Sequence, residues 1–210
     1  MNIPIVYEDD WLLVLDKPSG LLTIPTPKKE SRTLTSILND DLKEKGMPYR
    51  LHPCHRLDRE TSGLIIYAKG KSIQQKMMEL FRQKKVKKSY VALVNGNLAQ
   101  KEGAIKIAIE GQAAQTRYKV IEKKEGFDIV EVSPLTGRRN QIRVHFKHLG
   151  HPILGDTKFA FRRDFKIKAK RLMLHARDLE FPHPVTGKPI HLRAELPPDM
   201  SVVGEGGVIF

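Results

Sequence analysis

From Ser89 to Val132 the chain passes through four strand-like runs with no helical pattern between them, and no other feature restricts its fold as much. The runs are Ser89 to Val94, Ala104 to Ile109, Thr116 to Ile121 and Phe127 to Val132. In the third, Arg117-Tyr118-Lys119-Val120 alternates polar with apolar, as an antiparallel strand with one wet face does. Strands and helices do not take turns along the chain, which argues against a doubly wound parallel sheet. Ile3 to Tyr7 and Trp11 to Leu15 flank the acidic turn Glu8-Asp9-Asp10 as a first hairpin. Leu172 to Phe181 and Ile190 to Leu196 flank Thr186-Gly187-Lys188 as a closing one. The expected fold is α+β, a mixed, mostly antiparallel central sheet flanked by helices and loops. With no repeat and no composition break, one domain is expected over residues 1–210, its tail after Pro198 loosely packed.

Helical spacing occurs three times. Leu34, Ile37, Leu38 and Leu42 recur after Thr33, and Gly46 is a natural stop. Ser72 is placed to cap a second helix with the apolar face Ile73, Met77, Leu80 and Phe81. A third follows Thr136-Gly137-Arg138-Arg139, with Ile142, Phe146 and Leu149 as its apolar stripe. Its spacing sets Arg139, Arg143 and Lys147 on another face. Among the loops, Asp16 to Gly20 makes Lys17 a solvated turn lysine. The Pro-, Lys- and Thr-rich segment up to Ser31 reads as exposed, and Phe161 to Arg171 as a cation-rich insertion.

Lys and Arg total 37 against 24 Asp and Glu, a formal charge of +13. That excess favours a polyanion, because each phosphate neutralised releases condensed counterions. No segment has the apolar length to cross a bilayer, so no membrane partner is expected. The start MNIPIVYEDDW lacks the basic and apolar regions of a signal peptide. A single cysteine leaves no internal disulfide and suits a reducing, cytoplasmic setting.

Leu51 to Ala68, LHPCHRLDRETSGLIIYA, concentrates the chemistry. His55, Arg56, Asp58 and Arg59 stand in a short irregular run, Thr61-Ser62-Gly63 turns the chain, and Leu64-Ile65-Ile66 reads as a buried strand. A carboxylate among cations on a loop against a rigid sheet is how a site is built. Read alone, Asp58 serves equally well as a turn cap paired with an arginine. His52, Cys54 and His55 suggest zinc, but no second ligand cluster completes a tetrahedral set, so no metal is expected. No glycine-rich phosphate loop or dinucleotide fingerprint is present.

The string HRLDRETSGLIIYAK closely resembles the signature of the RluA-type pseudouridine synthases, in which the aspartate of HRLD is catalytic. KKSYVALVNG, TGRRNQIRVHFKHLGHPILGD, RLMLHA and the opening LVLDKPSGLL resemble further family segments, in the family's order. The resemblance implies a single catalytic domain that isomerises uridine in ribosomal or transfer RNA, with Asp58, Tyr90 and Arg143 at its site. Asp58 would be the catalytic carboxylate, Tyr90 would stack on the base, and Arg143 would pair with the aspartate. His55, Arg56, Arg59, Thr61, Arg138, Arg139, Asn140 and Gln141 would contact RNA. The rearrangement needs no redox step and no group donor, so no cofactor is expected, and the chain is expected to act as a monomer. Two departures stand out. Asn140 lies where relatives commonly carry histidine, yet asparagine can still donate, accept and cap the helix. The small amino-terminal RNA-binding domain that many relatives carry is also not expected. A non-catalytic RNA-binding or ribosome-assembly module is the rival reading, and a glycosidase-like enzyme or nuclease would want a second acid beside Asp58, where only Glu60 is near.

Overall fold

The computed structural model describes residues 3–27, 30–161, 163, 165, 167–201 and 208–209. In chain order its elements are β1 (Ile5–Glu8), β2 (Leu12–Lys17), α1 (Leu34–Glu44), β3 (Leu51–Pro53), β4 (Ser62–Lys69), α2 (Lys71–Arg82), β5 (Lys87–Asn95) and β6 (Glu102–Ile105). There follow β7 (Thr116–Lys124), β8 (Phe127–Pro134), α3 (Gln141–His148), β9 (Lys168–Ala169), β10 (Leu174–Pro182), β11 (Pro189–Arg193), α4 (Pro198–Ser201) and β12 (Val208–Ile209). The fold is α+β. β1–β2, β2–β4, β3–β4, β5–β8, β6–β7, β7–β8 and β10–β11 pair antiparallel, while the short β9 and β12 pair in parallel. The chain forms two compact units, one of Met1–Lys87 with Ala176–Ala194, the other of Lys88–His175 with Glu195–Phe210.

In the first unit the sheet order is β1-β2-β4-β10, with β3 also on β4 and β11 on β10. Both expected hairpins form, β1 with β2 and β10 with β11. Leu12, Val14, Leu64, Ile66, Met77, Leu179 and Phe181 make its core, with Ile73, Leu80 and Phe81 of α2 against it. Burying such side chains contributes roughly 1.5–3 kcal/mol each, so β4 is pinned by its own composition. Gly63 sits at φ 111, and a Cβ there would overlap the Ala176 carbonyl. Only glycine lets β4 lie that close to β10.

The helix ends decide two expectations. α1 begins as its sequence reads: Thr33 accepts from Ser36 N–H, and the Ser36 side chain accepts from Thr33 N–H in a reciprocal cap. α2 does not begin at Ser72. Its cap position is Gly70, φ 102, with no side-chain bond, and Ser72 lies inside the first turn.

The second unit carries the sheet β5-β8-β7-β6. On β7, Thr116 and Tyr118 are buried while Arg117 and Lys119 are exposed, the alternation expected of a half-wet strand. The Tyr118 ring meets Phe146 of α3 edge-on, with centroids 5.7 Å apart. Leu149, expected in the apolar stripe of α3, falls beyond the helix and is exposed. Arg143 is buried, so it does not share a solvent face with Arg139 and Lys147. After Pro198, Asp199 and Met200 are held more firmly than the loose tail expected there. Met200 is 2% exposed and Asp199 takes a two-pronged bond from Arg171. Arg171 is thereby tied down, not part of an open cationic cluster. Arg162 and Lys166 of that cluster, Lys28 and Lys29 of the earlier loop, and residues 202–207 lie outside the described residues.

Candidate active site

In the first unit, β3 runs into an irregular loop that carries Asp58 and returns as β4. The loop is tied at both ends and in the middle. Cys54 N–H donates to Ile66 O at 2.9 Å, and Ile66 N–H donates to His55 Nε2 at 3.1 Å. Thr23 Oγ1 donates to Leu57 O and accepts from Leu57 N–H. Thr61 N–H donates to Asp58 O at 3.2 Å. Asp58 itself is half-buried, while Arg56 and Arg59 on either side are exposed.

Lys17 overturns its expected role as a solvated turn lysine. It ends β2, is 0% exposed, and its ammonium donates to Pro18 O at 2.9 Å, Leu21 O at 2.8 Å and Arg59 O at 3.1 Å. A buried ammonium needs such oxygens, since leaving it unbonded would cost far more than the bonds return. Gly20 N–H also donates to Arg59 O, and Ser19 Oγ donates to Glu60 O at 2.6 Å. The segment 17–23 is thus the splint that holds the backbone on both sides of Asp58.

The second unit holds Tyr90 and Arg143. Tyr90 is buried on β5, opposite Val132 of β8. Arg143, on α3, is 3% exposed and lays its Nε and Nη2 on the two oxygens of Asp156 at 2.9 and 2.8 Å. Asp156 also accepts from the N–H groups of Lys158 and Phe159, and the Phe159 ring lies 5.1 Å from the guanidinium carbon. Burial pushes the Asp156 carboxyl up, but Arg143 and the two backbone donors outweigh it and hold the group below its ordinary value. Gly155, φ 75, brings this corner against Arg171 O where a Cβ would overlap. The result is a guanidinium fixed in plane by a buried carboxylate.

Four residues expected to touch RNA have other duties. Gln141 is 5% exposed. Its oxygen accepts from Thr136 Oγ1 and Arg138 N–H, and its nitrogen donates to Gln115 O and Thr116 Oγ1. All four hydrogen-bonding positions of the amide are used inside the unit. Thr61 is 2% exposed, and the His55 ring is committed to β4 through Nε2 while tilting against Phe81. Asn140 does not cap α3. It adopts a left-handed conformation, φ 53, with no capping bond, and its Oδ1 accepts from Arg143 Nη1 at 3.3 Å. Arg56, Arg59, Arg138 and Arg139 are exposed. Among the described residues no group of three or more His, Cys, Asp and Glu is placed to hold a metal. Cys54 is buried, and burial pushes its thiol up to about 12.

Two groups escaped the sequence reading, Lys17 and Asp156. Both lie in quoted segments, LVLDKPSGLL and HPILGD, and neither pattern shows that a charge will be buried.

The molecule is an α+β protein with a strong basic excess, bearing a carboxylate on a splinted loop in one unit and a guanidinium locked by a buried acid in the other. The sequence profile of a family described as RNA pseudouridylate synthase matches residues 11–148, which include Asp58, Tyr90 and Arg143. The chain is 38% identical over 209 residues to the dual-specificity RNA pseudouridine synthase RluA of Yersinia pestis, covering 91% of this chain and 98% of that one. It is 35% identical over 228 residues to tRNA pseudouridine synthase C of Haemophilus ducreyi, covering 93% and 92%. The solved structure of human RNA pseudouridylate synthase domain containing 4 superposes with a TM-score of 0.78 at 26% identity, covering 94% of this chain and 90% of that one. The chain belongs to the RNA pseudouridylate synthase family, and it is an isomerase.

Proposed function

We propose that the protein isomerises specific uridines in structured ribosomal or transfer RNA, with Asp58, Tyr90 and Arg143 acting on one flipped nucleotide. The observation that carries this reading is the family match across residues 11–148, combined with a loop built to present Asp58. The N1–C1′ bond of uridine breaks, the uracil turns, and a C5–C1′ bond forms. The proton on C5 leaves and N1 gains one, so atoms balance with no cofactor. An ionised Asp58 stabilises or traps the electron-poor anomeric carbon, or adds to the uracil ring; on either route it must be charged inside a desolvated pocket. Arg143, held flat by Asp156, supplies the fixed positive charge, and Tyr90 supplies a stacking face. The uridine leaves the stack to reach the carboxylate, and exposed Arg56, Arg59, Arg138 and Arg139 hold phosphates.

The relatives' names support both substrate classes, since one is called a ribosomal large subunit pseudouridine synthase and another a tRNA pseudouridine synthase. The two units work as one catalytic domain and as a monomer, in the cytoplasm, where a basic chain with one cysteine meets RNA under reducing conditions. The test compares total RNA from cells with the native protein, with Asp58→Asn and with none. Pseudouridines that vanish in the last two, while Asp58→Asn still binds the RNA, are expected. Pseudouridine formed by the Asp58→Asn protein sinks the assignment.

A further inference from the structure

The first unit also holds a cavity. It measures about 550 Å³ and is lined by residues of α1, the segment 48–53 and the start of α2, including Tyr49, Arg50, His52 and Lys71. Its volume falls among those that take small-molecule ligands and is larger than a lone phosphate requires. No acidic residue lines it. Arg50 and Lys71 are exposed at its edge, and Tyr49 and His52 are half-buried. Among the described residues, no hydrogen bond or ion pair engages the side chains of these three basic residues. Burial pushes the His52 imidazole down, and the charges of Lys71 and Arg50 push it further, which sets both cations near the ring. The other polar lining groups are spoken for. Asn39 bonds both backbone groups of Leu51 and the Thr35 carbonyl, and Thr35 Oγ1 bonds Thr23 O. Tyr49 is steadied by Lys69, whose ammonium lies 5.4 Å from the ring centre.

We propose that this cavity is a nucleotide subsite for the substrate RNA, with a phosphate between Arg50 and Lys71 and a base against Tyr49. The inference rests on the RNA reading above and adds a place where the strand is held. A cluster of cations without a counter-charge gains most from a phosphate, and an aromatic face beside it accepts any base. β3 leads from His52 into the loop of Asp58, so a strand gripped here lies at the entrance to that loop's own element.

The test reads binding, not chemistry, in the Asp58→Asn protein, so a failure of the isomerase assignment leaves its result intact. A labelled twelve-nucleotide oligouridylate is titrated across a salt series. R50Q/K71Q is expected to bind about tenfold more weakly and to lower the slope of log affinity against log salt by about one. Tyr49→Ala is expected to lose roughly five- to tenfold, and Tyr49→Phe nothing. Unchanged affinity and slope in R50Q/K71Q overturn the proposal. An equal loss in K106Q/K119Q, two exposed lysines of the second unit, also overturns it, because the effect would be diffuse charge. Uridine monophosphate binding as tightly as the oligonucleotide would make a free nucleotide the occupant and overturn RNA.

Discussion

Lys17 and Asp156 are charges that never reach the surface, and each exists to hold something else. The Lys17 ammonium gathers backbone oxygens from residues 18, 21 and 59, so the turn beside Asp58 cannot drift without losing a buried ion's partners. Lys17→Met keeps the aliphatic stem and removes the charge. It should cost roughly 1–3 kcal/mol in urea unfolding, because buried carbonyls lose their donor. Single-turnover pseudouridine formation should fall further than RNA affinity does. Asp156→Asn takes from Arg143 the carboxylate that grips its Nε and Nη2, at a place where both partners are almost wholly buried. Breaking such a pair costs about 3–5 kcal/mol, so a large loss of denaturant midpoint is expected. A loss under 1 kcal/mol in the same measurement would show that Arg143 finds its order elsewhere. At this scale the sequence displays residue types well and burial badly: Asp58 stands out among its cations, while Lys17 looks like any turn lysine.

Elements were legible where one segment carries its own reason to form. α1 has its capping residues and its stop, and Thr33→Ala should cost about 1 kcal/mol by removing the reciprocal cap. Thermal melting checks this. α3 is a harder case. Its start is organised by Gln141, which ties residues 115, 116, 136 and 138 together, and no periodicity reports such long-range bonds. β4 is set both by its apolar run and by a glycine that permits contact with a strand far along the chain. Gly63→Ala combines a left-handed φ with overlap on the Ala176 backbone, so soluble, folded yield should collapse. A folded Gly63→Ala protein with native melting would show that β4 and β10 can part without penalty.

For the whole molecule, pH and salt are the levers. His145 is fully buried, its Nε2 donating to Ile107 O and its Nδ1 accepting from Thr116. Burial lowers its pKa below 6.5, with the Ile107 bond opposing. A lowered folded value means the unfolded chain binds the extra proton, so this stability is present above pH 6.5 and is lost as pH falls through the folded value. Asp156 is likewise lowered from 3.8, so its contribution is lost only at more acidic pH. Melting temperature should therefore fall in two stages on acidification, the milder one with the histidine. His145→Gln should shrink the first stage, to which the lowered His52 also contributes, and leave the second. The charge of +13 predicts that RNA affinity falls steeply with salt, a linear decline on logarithmic axes.

The sequence by itself determined the fold class, the strand-rich centre and a basic excess suited to a polyanion, and its strings resembled those of the enzyme family to which the chain belongs. Each of these follows from residue type, period or a local string. The tertiary structure decided which charges are buried, that Gln141 and His55 serve as braces, and that Arg143 is held by Asp156. Those outcomes depend on atoms brought together from distant positions, and burial converts an ordinary polar residue into one that must be satisfied. The proposed subsite is a tertiary outcome too: Lys71 comes beside Arg50 and His52 only once α2 and β3 have packed.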